Sequence, residues 1–207
     1  MDKAEPANRN TGDRVSLTPE DWEQAALVLI ADKGVSALAV EPLARRLQIT
    51  KGSFYWHFPG RDELLSSALK RWEQQDADHL QRSLKADEDP ADRLARFVWR
   101  TTRQTLTHRV YLALCALPDD ALIGPVLQRV TARRIGYLAS AFEELGLVAD
   151  AAERRATLVY SGYVGYLQLQ AQKAVPEPDE PAFDAYVEHV IASLISPDAR
   201  RGEALSA

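Results

Sequence analysis

A single cysteine, Cys115, stands in 207 residues. No internal disulfide is possible, and a reducing compartment is expected. No apolar run approaches the roughly 18 residues that cross a bilayer. The opening MDKAEPANRNTGDR is polar and mixed in charge, without the apolar centre of a secretory signal. These absences predict a cytoplasmic protein with no membrane partner. Period-two alternation and Asn-Gly or Asp-Gly hairpin signals are missing too, so an all-α chain is expected. No G-x-S-x-G, Walker, G-x-G-x-x-G or H-E-x-x-H motif is present. Four histidines, at 57, 79, 108 and 189, are scattered. Asp76, Asp78 and His79 share one helical stretch, which is a weak metal signal. Without a histidine close in sequence, Cys115 reads as a small core residue. No enzymatic activity, cofactor or metal is expected.

Net charge is −5, yet Pro42–Arg61 holds Arg45, Arg46, Lys51 and Arg61 without an Asp or Glu. That local +4 leaves −9 for the remainder. A basic island in an acidic chain suits one local anionic partner better than a generally adhesive surface. All eleven prolines fall near plausible element edges, and the text between them is helical. The first helix is predicted to open at TPED, with Thr18 as N-cap, Pro19 at its first position and Asp21 completing a capping box. It is expected to close at Gly34 in a left-handed conformation. Short helices follow at 40–46 and 51–57, joined by the turn LQIT with Thr50 as cap. Together they make a helix-turn-helix. A long helix at 61–84 places Asp62 and Glu63 in its first turn, where the helix dipole favours them. Leu65, Leu69, Trp72 and Leu80 mark its buried side. Further helices are expected near 90–107, 108–117, 120–145, 150–173 and 182–195, about nine in total.

The stretch ITKGSFYWHFPGRDEL crowds Phe54, Tyr55, Trp56 and Phe58 into one short segment. A core helix would spread its aromatics three or four positions apart, so some of these face something else. In a helix-turn-helix the start of the second helix enters the major groove. Lys51 there can donate to guanine or phosphate, Gly52 permits close approach, and Ser53 reaches a base edge or a phosphate. Tyr55 and His57 offer phosphate donors, and Arg61 can meet a phosphate at the start of the long helix. Phe54 and Phe58 are expected to pack inward. Trp56 has two readings: packing against the first helix or touching the sugar–phosphate backbone. Arg9 and Arg14 belong to a tail read as disordered in preference to a minor-groove arm.

The run LARRLQITKGSFYWHFPGRDELL, joined to an upstream helix ending in DKGVSALAV, resembles the N-terminal domain of the TetR family of bacterial transcriptional regulators. The resemblance covers about a quarter of the chain. It implies a flexible tail at 1–14, a three-helix DNA-binding domain at 15–62, and a larger helical effector-binding and dimerisation domain at 63–207. It also places Lys51, Gly52, Ser53, Tyr55, His57 and Arg61 at positions the family uses for DNA. One departure is Gln48, where the family's turn usually carries glycine; a positive φ there would cost up to about 1 kcal/mol. A second is Glu41, which would repel a phosphate.

In the larger segment, LVYSGYVGYLQLQA is apolar on two opposite helical faces and must be covered on both. Leu158, Gly162, Gly165 and Leu169 form one stripe, whose glycines allow a second helix to approach. We read it as a homodimer seam, joined by Tyr186, Val190 and Leu194 of the last helix in a four-helix bundle. The opposite face points to Phe97, Tyr111, Cys115, Tyr137, Phe142, Tyr160 and Tyr163 as cavity or core residues. Arg93, Arg96, Arg100 and Arg103 read as a solvated face beside acidic neighbours. The resulting expectation is a repressor that binds double-stranded palindromic DNA as a homodimer and is released by a small apolar or aromatic effector. The alternative is a helical protein–protein adaptor.

Overall fold

The computed structural model describes residues 17–82 and 89–195, with no strand among them. The tail at 1–14, with Arg9 and Arg14, lies outside the described residues, as do residues 83–84 at the end of the expected long helix. Nine α-helices occur among the described residues. They are α1 (Pro19–Lys33), α2 (Val40–Arg46), α3 (Lys51–Tyr55), α4 (Arg61–Gln81) and α5 (Pro90–Thr101), then α6 (Thr105–Cys115), α7 (Ile123–Glu144), α8 (Ala149–Ala171) and α9 (Pro181–Ile195).

The capping box at the start of α1 forms as expected. The Thr18 amide donates to the Asp21 carboxylate at 2.8 Å, and the Thr18 hydroxyl accepts from the Asp21 amide. Two amides that a helix start leaves unpaired are thereby satisfied. Gly34 closes α1 with φ 80° and ψ 168°, and its amide donates to Ile30 O at 2.8 Å. The positive φ was anticipated, but the extended ψ replaces the left-handed cap; only glycine adopts that combination without strain.

Two helix boundaries differ from the periodicity. The expected helix at 90–107 breaks after Thr101 and restarts at Thr105. Thr102 Oγ1 donates to Val98 O at 2.9 Å and Trp99 O at 3.2 Å, so a side chain joins the Thr102 amide on Val98 O and helps to cover the Trp99 carbonyl at the helix end. Similarly, Asp120 precedes α7 instead of joining it. Its carboxylate accepts the amides of Leu122 and Ile123 at 2.9 and 3.1 Å.

One apolar core runs from Trp22, Leu27 and Ile30 on α1 through Leu65, Leu69 and Trp72 on α4 to Phe142 and Phe183. α1 packs on α4 and α6, α4 packs on α7, α7 lies along α8, and α9 rests on α5. α4 therefore belongs to both ends of the molecule: it supports the helix-turn-helix and lines the interior of the larger segment. On α8, Tyr160 and Leu167 are buried, while Leu158 is 72% and Leu169 42% exposed. The two apolar faces are thus one covered and one bare within the protomer.

Candidate nucleic-acid interface and interior cavity

α3 is pinned from beneath. Phe54 is fully buried and meets Trp22 of α1 edge-on, with ring centroids 5.2 Å apart; Phe58 is buried beside it. Lys51, Gly52, Tyr55 and Trp56 then lie exposed, with Ser53 and His57 half-buried. Trp56 is 88% exposed, which excludes its packing against α1. α3 ends at Tyr55, two residues early, because the amides of His57 and Phe58 both turn back to Phe54 O, at 2.9 and 3.0 Å. Trp56 and His57 therefore project from the turn that follows. Thr50 has the extended backbone of an N-cap, but its side chain makes no capping bond. Gln48 takes φ 57°, the left-handed conformation that made glycine the expected residue.

The basic island is less bare than the sequence suggested. Asp32 pairs with Arg46 at 3.3 Å, Glu41 with Lys51, and Asp62 with Arg61 at 2.7 Å. Glu41 thus neutralises Lys51 in the free protein. Both partners are more than half exposed, and such pairs contribute at most about 1 kcal/mol, so a phosphate competes for the lysine on favourable terms. Arg61 departs from its expected part. Its Nε donates to Leu38 O at 2.9 Å and its Nη2 to Val35 O at 3.2 Å. The side chain ties the start of α4 to the connection between α1 and α2, and its donors are largely committed there.

Within the larger segment, α4 to α9 line a partly open cavity of about 240 Å³. Its walls are apolar, with Leu80, Phe97, Val98, Leu138, Val159 and Val190 among them. Its polar side gathers Asp76 and His79 of α4, His108 of α6, Arg134 of α7, and Tyr160 and Tyr163 of α8. Arg134 donates twice to Asp76 Oδ1, from Nε at 2.9 Å and Nη2 at 2.7 Å. Both residues are buried. One turn earlier on α4, Glu73 is gripped by Arg129 at 2.9 and 2.7 Å, and that hydrogen bonding lowers its carboxyl pKa. α7 thereby clasps α4 through two carboxylates.

The two histidines are held neutral. His79 sits between the Thr101 hydroxyl, 3.1 Å away, and the Gln104 amide, 2.7 Å away; burial and then Arg100 lower its pKa. Burial, followed by Arg134, pushes His108 down to about 4. Buried atoms without a hydrogen-bond partner include Arg134 Nη1, His108 Nε2 and Tyr163 Oη.

Of the expected cavity residues, Phe97, Tyr160 and Tyr163 line it. Tyr111, Cys115, Tyr137 and Phe142 do not. Tyr111 stacks on Trp72 and accepts from the Tyr160 hydroxyl at 2.9 Å, behind the wall. Tyr137 packs against Phe97 at 4.5 Å between centroids, and Phe142 is fully buried core. Cys115 is half-buried, and burial raises its thiol pKa, consistent with packing rather than reactivity. Gly162, Tyr186, Val190 and Leu194, expected at a dimer seam, border the cavity in the protomer. The arginines of this stretch are also not simply solvated: Arg93 of α5 is buried and paired with Glu144, while Arg103, just beyond the end of α5, pairs with Asp184 and lies over Trp99 at 4.1 Å.

Sequence reasoning missed Asp76 and Arg134 as partners and gave His108 no role. A signal existed. Asp76 interrupts the buried row Trp72–Asp76–Leu80, and Arg134 interrupts Val130–Arg134–Leu138. A charge at a core position of two helices points to a buried pair.

Residues 24–68, from within α1 to within α4, match the model of bacterial regulatory proteins of the tetR family. The chain is 34% identical over 61 residues to the HTH-type transcriptional regulator SrpR of Pseudomonas putida, covering 30% of this chain and 29% of that protein. It is 24% identical over 175 residues to the HTH-type transcriptional regulator AcrR of Shigella flexneri, covering 77% and 80% of the two chains. The crystal structure of a TetR transcriptional regulator from Legionella pneumophila superposes with a TM-score of 0.71 at 18% identity, over 88% of this chain and 99% of that one. Reduced NemR of E. coli superposes with a TM-score of 0.62 at 19% identity, over 85% and 94%. At such identities these structures establish a shared fold. Residues 24–68 thus form an N-terminal helix-turn-helix domain of the tetR-family type, and the remainder shares the helical fold of TetR-family regulators.

Proposed function

We propose that this regulator is a repressor that binds a twofold-symmetric operator as a homodimer and releases it when a small molecule enters the cavity. The observation that carries this reading is the continuity of α4. Its first residue, Arg61, braces the helix-turn-helix, and Asp76, four turns on, forms part of the cavity wall. A ligand that shifts α4 therefore acts on the position of α3, with no further relay. In this reading the DNA-binding domain ends near residue 62 and the effector and dimer functions occupy the remainder. Lys51, Gly52, Ser53, Tyr55, Trp56 and His57 supply the operator contacts, with the two copies of α3 about 34 Å apart or somewhat more. Arg61 serves chiefly to hold that surface in place.

Selection of bound fragments from the source genome supplies the operator for a direct test. Tyr55→Phe and His57→Ala are expected to weaken binding to all sequences. Lys51→Ala and Ser53→Ala are expected to weaken it and relax base preference as well. Log K falls linearly with log salt for a surface that neutralises phosphates, whereas a protein–protein adaptor would lack that dependence on DNA. A folded dimer whose DNA affinity is unchanged in all four variants would overturn the assignment of α3.

A further inference from the structure

The cavity is not uniformly apolar. Three hydrogen-bonding atoms buried at its polar side, Arg134 Nη1, His108 Nε2 and Tyr163 Oη, have no hydrogen-bond partner among the described residues. A buried polar group left unpaired is destabilising, so three gathered at one corner of a cavity point to something that completes them. Arg134 is 8% and His108 5% exposed. The Arg134 guanidinium cannot swing away freely: two of its nitrogens hold Asp76, and it lies over the Tyr111 ring at 5.0 Å and the Trp72 ring at 5.9 Å. Its remaining nitrogen keeps a fixed position.

The Tyr163 phenol oxygen lies beside this guanidinium, close enough to bear on its electrostatics but without a well-formed hydrogen bond, so what the position lacks is an anion. Burial raises the Tyr163 phenol against the pull of Arg134 beside it, so Tyr163 presents an O–H rather than a phenolate. The charged groups facing this corner are Asp76 from α4 and Arg134 from α7, with Arg133 of α7 also reaching Asp76 at 3.5 Å. Arg100 of α5 and Arg82 beyond α4 both bear on His79. Cations therefore outnumber anions around two neutral imidazoles. A ligand amine would be repelled, and a ligand carboxylate would meet an oriented guanidinium donor and an O–H. The space beyond is apolar, and its size is informative. A cavity of about 150 Å³ accepts benzene, so about 240 Å³ accommodates one ring with a short substituent.

We propose that the effector is a compact aromatic or branched apolar acid, its carboxylate held by Arg134 Nη1 and the Tyr163 hydroxyl and its body in the apolar chamber. This assignment rests on the effector reading of the cavity and adds the ligand class and a trigger. The carboxylate competes with Asp76 for Arg134, loosening the clasp of α7 on α4.

Calorimetry on the full-length dimer with 3-phenylpropanoate, 3-phenylpropanamide and 3-phenylpropylamine tests the class without altering the protein. The acid is expected to bind at least tenfold more tightly than the amide, and the amine to bind more weakly still. Tyr163→Phe is expected to weaken the acid about tenfold or more while leaving the amide nearly unchanged. Because Arg134→Gln alone strands a buried Asp76, it is paired with Asp76→Asn, and the preference for the acid should then vanish. Equal affinity for acid and amide, no binding of any of the three, or acid preference that survives in the double variant would overturn the proposal. Operator titration separates the two levels. Selective acid binding that leaves operator affinity unchanged would uphold the ligand class and sink the effector reading. Operator release by acid and amide alike would do the reverse.

Discussion

His108 carries a proton-linked cost that can be measured. Its ring is almost fully buried on α6, and burial, then Arg134, sets its pKa near 4 against an unfolded value of 6.5. Between those values the unfolded chain binds the proton and the folded chain does not, so stability must rise with pH across the window. The contribution is complete above about pH 6.5 and is lost as pH falls towards 4. At about 1.4 kcal/mol per pKa unit the whole effect is on the order of 3 kcal/mol. His79 shifts in the same direction and adds to the slope. Urea denaturation from pH 4.5 to 7.5 should therefore show a shallower acid-side loss in His108→Gln than in the parent. Parallel curves would mean that the imidazole titrates normally in the folded protein. Gln48 illustrates a different residue-scale cost. Its φ of 57° places a side chain where glycine sits without strain, at a penalty of up to about 1 kcal/mol that the surrounding helix-turn-helix contacts absorb.

At the scale of the element, α8 is the instructive helix. Its covered face holds Tyr160 and Leu167, and its other face leaves Leu158, Gly162 and Leu169 exposed and Gly165 half-buried in the protomer. A Cβ built on Gly165 meets no atom within 4 Å, so a larger side chain there does not disturb the protomer itself. Overpacking at a helix–helix contact costs typically about 1–3 kcal/mol, and twofold symmetry applies it twice. Gly165→Leu is therefore expected to keep its helical content and yet sediment as a monomer at low micromolar concentration. Gly162 makes a less clean test because it also borders the cavity. A Gly165→Leu protein that remains dimeric would move the interface off this stripe.

For the whole molecule, the proposed operator and effector would act on each other through α4, and linkage would make their effects reciprocal. A coupling of about 1–3 kcal/mol changes operator affinity by about 5- to 150-fold. Operator DNA must then weaken effector binding by the same factor. Titrating an effector into free protein and into the operator complex should return dissociation constants that differ by the factor seen in operator release. Equal constants would place the ligand outside the coupling, however tightly it binds. The clasp between α4 and α7 is suited to this role because it joins separate elements through Glu73 and Asp76, not through apolar packing alone.

What the sequence determined by itself was local. Thr18, Pro19 and Asp21 specify the start of α1 because a capping box is made within one turn. Phe54 and Phe58 face inward because four-residue spacing places them on one side of a short segment, and both are buried. The order of helices followed from proline positions and apolar spacing, with errors where a single side chain intervened, as at Thr102. Tertiary structure decided which side chains found partners. Arg134 and Asp76 are 58 residues apart, and nothing in either helix alone names the other. Arg61 was legible as a cation near DNA, but the carbonyls of Val35 and Leu38 that occupy it become neighbours only when α4 docks. Trp56 could be read either way until the turn after Tyr55 pointed it outward. Spacing along a helix is a property of the chain, whereas burial, charge pairing and the shape of a cavity are properties of how helices meet.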